Sequence, residues 1–193
     1  MDRFVTRALL VTILALGLCA AAQAQHGEVG FFGEYIAFSP AGLGGAGIKG
    51  LFALNRHLAL EGEFSYDFNR TLNETTIDPL TGALGTNKSR MHATNFLGGI
   101  SVSRPSPKIR PFFTMKMGLM TINPSSLPPG LISTNEQMNQ IRASHGNFAI
   151  FSAGGVEAYS GKWGFRLDVG DEIYFLNGAN SNFRITFGPN YLF

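Results

Sequence analysis

The final eleven residues, Phe183 to Phe193, constrain this chain more than any other stretch. Phe183, Ile185, Phe187, Tyr191 and Phe193 alternate with Arg184, Thr186, Gly188, Asn190 and Leu192, and Pro189 interrupts the apolar row. Successive side chains of a strand point to opposite faces, so this alternation makes an aromatic wall backed by a mostly polar one. About ten residues of tilted strand also cross a hydrocarbon layer. An edge strand of a soluble sandwich would show the same pattern, so the remainder of the chain has to discriminate.

The N-terminus argues for export. Arg3 and Arg7 precede an apolar run from Ala8 to Ala22, and Ala22, Gln23 and Ala24 form a small-residue cleavage site before Gln25. Residues 1–24 thus read as a cleaved secretory signal peptide, too short to anchor in a membrane. Cys19 is the only cysteine and follows Leu18 rather than the small residue of a lipoprotein signal, so it is expected to leave with the signal. The domain from Gln25 to Phe193 then has no thiol, which excludes a disulfide framework and a thiolate metal site. With 24 Gly, 17 Phe and 15% charged residues, the chain suits a wall that faces lipid. A net charge of +2 gives no ground for a nucleic-acid partner.

The clearest alternation sets Leu58, Leu60, Gly62, Phe64, Tyr66 and Phe68 against Ala59, Glu61, Glu63, Ser65 and Asp67. A face carrying three carboxylates cannot meet lipid. Similar segments at 28–38, 43–54, 91–103, 111–122, 147–158, 163–175 and 183–193 bring the expected strands to eight. Tight turns at 55–57, 104–108 and 159–162 alternate with a short turn near Pro40, long polar loops at 69–90 and 123–146, and a moderate loop at 176–182. Short periplasmic turns and long extracellular loops are the asymmetry of an outer-membrane barrel. Closure leaves no sheet edge, so every backbone donor is paired. The fold class that follows is all-β: an eight-stranded antiparallel up-and-down transmembrane barrel.

The inward faces collect Glu28, Glu34, Lys49, Glu61, Glu63, Asp67, Lys116, Glu157, Arg166, Asp168, Glu172 and Arg184. Eight strands enclose a lumen that side chains fill, so these charges have to pair or hold water. A salt-bridge plug is expected, with Lys49, Lys116, Arg166 and Arg184 bridging the acids; a gated ion path is the alternative. Tyr66, Phe68, Phe148 and Phe175 at the outer ends, and Tyr159, Trp163, Tyr191 and Phe193 at the periplasmic ends, are expected to form two interfacial girdles.

Catalytic and cofactor motifs are weak. His92 is followed by Ala93 and Thr94, His145 follows Ser144 on what would be opposite strand faces, His57 sits in a turn, and His26 lies near the start. Each is expected to be solvated or interfacial, and no two have a metal-ligand spacing. Gly42, Gly44, Gly45, Gly47 and Gly50 lack the lysine and following helix of a phosphate loop, so close strand packing explains them better.

On its terminal aromatic strand and its architecture, the chain resembles the small eight-stranded bacterial outer-membrane barrels of the OmpA, OmpX and opacity-protein type. The resemblance implies a monomeric, non-enzymatic, cofactor-free protein of the outer membrane. It implies that Tyr191 and Phe193 are read by the barrel-assembly machinery, and that the barrel either contributes to envelope structure or contacts an extracellular ligand or host surface through loops 69–90 and 123–146. Three alternatives remain open: a narrow channel, an enzyme like the barrel lipases that trim lipid A, and a soluble lipocalin-like barrel whose apolar face would turn inward.

Overall fold

The computed structural model describes residues 27–37, 42–106, 108–143 and 146–193, with only the backbone at 69 and 137. The expected signal segment with Cys19, His26, the turn at Pro40, Ser144 and His145 lie outside the described residues. The elements run β1 (Gly27–Ile36), β2 (Leu43–Ala53), β3 (Leu58–Ile77), β4 (Leu84–Ser103), β5 (Ile109–Pro124), β6 (Ile132–Ser133), α1 (Glu136–Ala143), β7 (Asn147–Ser160), β8 (Trp163–Phe175) and β9 (Ala179–Leu192). Each of the eight long strands pairs antiparallel with its neighbours, and the ring closes through β1 on β9 and β2 on β3. The two-residue β6 adds only to the tip of β3, through Thr76 and Ile77.

Local chemistry explains the tight ends. Asn55 Oδ1 accepts hydrogen bonds from the backbone N–H groups of His57 and Leu58 at 2.8 and 2.9 Å, closing the turn between β2 and β3. Gly161 turns the chain from β7 into β8 at φ 64°, where a side chain would be strained. Above the belt, Asn177 and Gly178 reverse the chain with φ of 51° and 131°, so β9 begins at Ala179 and the expected loop at 176–182 shrinks to three residues.

The outer wall is apolar wherever alternation pointed outward. Phe31, Phe96, Phe113, Phe165 and Phe187 are each more than half exposed. Around a closed barrel such a belt is the surface that hydrocarbon covers. The inward set is buried instead, so the faces are those of a membrane barrel and not of a lipocalin.

The long loops differ from expectation. Residues 69–90 are not a mobile loop: β3 and β4 continue through them as one hairpin, with a turn where Asp78 Oδ2 accepts from Thr81 Oγ1 at 2.9 Å. A bulge between Asp67 and Arg70 shifts the alternation, so odd residues face inward before it and Leu72, Glu74 and Thr76 face inward after it. That shift disguises the strand as polar loop. Segment 123–146 likewise carries β6 and α1, whose Met138 and Ile141 are buried over the barrel mouth.

Inward glycines make room for long side chains. Gly188 stands opposite Arg166, and Gly170 opposite Arg184, across the β8–β9 ladder. A Cβ at Gly188 would meet the Phe31 carbonyl oxygen at 2.0 Å, which only strand separation could relieve. Gly188→Ala is therefore expected to lower the yield of folded barrel, while Gly62→Ala, with open space around its Cβ, leaves it unchanged. Comparing heated and unheated samples on a gel measures both.

Candidate functional site

The lumen holds a continuous lattice of ion pairs in three tiers. Nearest the periplasmic mouth, Arg110 reaches Glu28 at 3.1 Å and Glu157 at 2.5 Å. Tyr159 donates its hydroxyl to Glu28 at 2.8 Å, and Asn190 also hydrogen-bonds Glu28. In the middle tier Arg166 contacts Glu157 at 3.0 Å, Glu61 at 2.9 Å and Asp168 at 2.8 Å. Lys116 pairs with Glu61 at 2.9 Å and also with Glu63, and Lys49 with Asp168 at 3.0 Å. Thr114 and Thr186 donate to Glu61 and Asp168. In the upper tier Arg184 gathers Glu34, Glu63 and Glu172 at 2.5, 2.9 and 2.7 Å.

Aromatic faces spread the cationic charge further. The Arg166 guanidinium lies 3.9 Å from the ring centre of Phe112, and Phe151 is flanked by Arg184 at 4.6 Å and Lys116 at 4.9 Å. Buried pairs repay their desolvation only when remaining donors and acceptors are also met; Tyr159, Thr114 and Thr186 do this for Glu28, Glu61 and Asp168, whereas in the upper tier Glu34 Oε1, Glu172 Oε1 and Arg184 Nε find no hydrogen-bond partner among the described residues. Arg110, Tyr159 and Asn190 were missed as network members in the sequence, although Arg110 continues the inward parity of Phe112, Thr114 and Lys116. Tyr159, expected in the periplasmic girdle, turns inward: it shares the parity of Glu157, and two carboxylates and a guanidinium attract its hydroxyl.

Asp67 faces inward and is fully buried, but the lattice does not take it in. Among the described residues neither of its carboxylate oxygens finds a hydrogen-bond partner. Above it the lumen turns apolar: Ile36, Leu43, Met91, Leu97, Met120, Ile122 and Tyr174 pack with Met138 and Ile141 of α1. The barrel is thus open at the periplasmic side, where a vestibule of about 400 Å³ ends on Glu28, Arg110 and Glu157, and closed by charge and then by hydrocarbon toward the outer side.

Outside the membrane, Arg142 of α1 grips Glu74 of the β3 extension in a bidentate pair at 2.8 and 2.6 Å. Hydrogen bonds from Arg142 hold the Glu74 carboxyl below the usual carboxylate range. Since folding lowers this pKa, the stability it adds is complete above the ordinary carboxylate range and is lost as pH falls through the depressed value.

The remaining residues are placed as follows. At the outer ends Tyr66 and Phe68 meet edge to face at 6.2 Å, and Phe148 and Phe175 pack with their rings tilted by 31° at 5.9 Å. Trp163 packs on Tyr191 at 5.0 Å at the periplasmic end. Phe193 donates its backbone N–H to the Gly27 carbonyl at 3.0 Å, joining the end of β9 to the start of β1. His92 points outward against Tyr66, 5.5 Å between rings, away from the lumen acids. His57 lies against the Ser103 carbonyl in its exposed turn. The two therefore sit at opposite ends, and among the described residues no group of three His, Cys, Asp or Glu is arranged to hold a metal ion.

Replacing Arg166 by Met leaves Glu61, Glu157 and Asp168 buried around an uncharged group, and should cost about 3–5 kcal/mol. Denaturant titration of the folded barrel in detergent measures it. Exchange protection of α1 amides should fall on acidification through the Glu74 titration, and Arg142→Gln should make that protection low and independent of pH; hydrogen exchange across that range checks both.

The sequence matches no family model and no curated protein. Its structure is similar to Ail, the attachment invasion locus protein of Yersinia pestis, at TM-score 0.52 and 12% identity, covering 87% of this chain and 97% of that one. It is similar to the N-terminal β-barrel domain of Pseudomonas aeruginosa OprF at TM-score 0.53 and 9% identity, covering 88% and 98%. It is likewise similar to Neisserial surface protein A at TM-score 0.53 and 10% identity, covering 87% and 96%. Together with the lipid-facing belt and the filled lumen, these likenesses make the fold that of the small eight-stranded outer-membrane barrels.

Proposed function

We propose that this chain is a non-enzymatic, monomeric integral protein of the outer membrane that presents a rigid extracellular surface. The observation that carries the reading is the pairing of a blocked lumen with a built exterior. Three tiers of ion pairs and an apolar cap fill the interior. Meanwhile the β3–β4 hairpin extends some ten residues beyond Asp67, braced by β6 and by the Arg142 grip on Glu74. A strand ladder continued outside the membrane buries no lipid-facing area, and holding it rigid costs conformational entropy. A contact surface gains from that order, because less freedom is lost on binding.

The face of the hairpin turned away from the barrel mouth carries Thr71, Asn73, Thr75, Lys88 and Arg90, and its tip exposes Leu80 and Leu84. This mixture of hydroxyls, cations and apolar side chains suits an extracellular macromolecule. Ail has been solved with the heparin analogue sucrose octasulfate, which makes heparin a sensible first probe alongside cultured-cell layers. Residues 1–24 would deliver the chain to export, and the Tyr191 and Phe193 strand to assembly.

Two measurements test the reading. Purified protein in planar bilayers should give no steady conductance; a stable open level would make the lumen a path and the protein a channel. Cells displaying the barrel should adhere to heparin-coated or cell-covered surfaces and lose adherence when residues 72–87 are replaced by a short turn, with heat-modifiable mobility retained. Equal adherence after trimming would remove the hairpin from the function.

A further inference from the structure

Charge is distributed unevenly along the barrel axis. Among the described residues the outer end mixes Arg70, Lys88, Arg90 and Arg142 with Glu74, Asp78, Glu136 and Asp171. The periplasmic end differs. Each of its three turns carries exposed cations: Arg56, then Arg104 and Lys108, then Lys162. The acids nearest that end, Glu28 and Glu157, are 5% and 1% exposed and already bind Arg110. No acidic side chain is exposed at this end among the described residues, so the exposed charged side chains of the three turns are all cationic.

These turns are fixed to the barrel. The Lys108 carbonyl accepts the Tyr159 N–H at 2.9 Å, the Lys162 carbonyl accepts the Leu192 N–H at 2.8 Å, and Arg104 donates its N–H to the Pro111 carbonyl at 3.1 Å. These cations therefore stand on the last rungs of the ladder. Lys162 sits level with the aromatic belt: its amine lies 5.9 Å over the ring of Tyr191, which itself packs on Trp163. A cation held against the lipid-facing wall at that depth meets headgroup phosphates rather than the lumen or bulk water.

The geometry points to a headgroup site: the periplasmic rim recruits anionic phospholipids, the phosphates of the inner leaflet sitting against Arg56, Arg104, Lys108 and Lys162. The inference concerns the opposite end from the hairpin and stands whether or not the hairpin binds a partner.

Trp163 is the only tryptophan in the chain and lies beside Lys162, so it reports on this site. The protein is folded into vesicles of phosphatidylcholine and phosphatidylglycerol at one fixed ratio, with brominated acyl chains on one lipid or the other. A single basic residue near a charged surface enriches anionic lipid by about five-fold, so brominated phosphatidylglycerol should quench Trp163 several-fold more per mole than brominated phosphatidylcholine. The preference should weaken with salt, because the cations are exposed. It should fall to parity in the combined variant Arg56→Gln, Arg104→Gln, Lys108→Gln, Lys162→Gln, whose heat-modifiable mobility confirms a folded barrel, and Lys162→Arg alone should retain it. Equal quenching by the two lipids in the natural protein overturns the inference, as does a preference that survives the four substitutions. Loss of the preference on adding millimolar inorganic phosphate at constant ionic strength also overturns it, by showing that the rim takes free anions.

Discussion

Two guanidinium groups with no solvent exposure, on Arg166 and Arg184, make the rest of the interior tolerable. Each gathers three carboxylates, and between them they reach acids on β1, β3, β7 and β8. Charges this deep would be costly singly, because the surroundings cannot solvate them as water does. The planar, multiply donating guanidinium suits the task better than an amine. Since the acids sit on separate strands, these contacts cross-link the barrel through its axis as well as around its circumference.

The geometry of an eight-stranded ring explains why other residue types fall where they do. The lumen is barely wider than its side chains, so a large residue needs a small one opposite. Gly188 faces Arg166 and Gly170 faces Arg184, and the rings of Phe112 and Phe151 pack beside the cations. Among the described residues acids outnumber bases in this lumen, eight against five when Arg110 is counted. Asp67, stranded beneath the apolar cap, is where that surplus is least compensated. The two ends then diverge: the periplasmic mouth stays open above a paired floor, and the outer mouth is sealed by Met138, Ile141 and their neighbours. An interior so filled has little room to transmit solute, which is why the proposed function looks to the rims.

Much of this was legible in the residues because a membrane barrel is a two-sided object with period two. The lipid face of 183–193 and the carboxylate face of 58–68 are both visible in the chain, whereas in 28–38 both faces are partly apolar and only the absence of charge marks the lipid side. Where the period breaks, legibility ends. The bulge after Asp67 inverts the parity, and beyond the membrane both faces of a strand are polar, so the outer hairpin looks like loop composition. Tyr159 shows a second limit: a tyrosine at a strand end suits an interfacial girdle and a buried hydroxyl network equally well.

A closed, membrane-facing barrel with a charged interior is already written in the order of residues, because lipid tolerates no unpaired backbone and no carboxylate on its side of a strand. Tertiary structure decided which charges meet. Lys49 lies 119 positions from Asp168 and Glu28 lies 82 from Arg110, and register, shear and the Asp67 bulge bring such groups together or leave them apart. It also decided that segment 123–146 folds back as a helix over the mouth. That helix is short and marginal alone, and it is stabilised by burying Met138 and Ile141 and by the grip of Arg142 on Glu74, neither of which a linear reading contains.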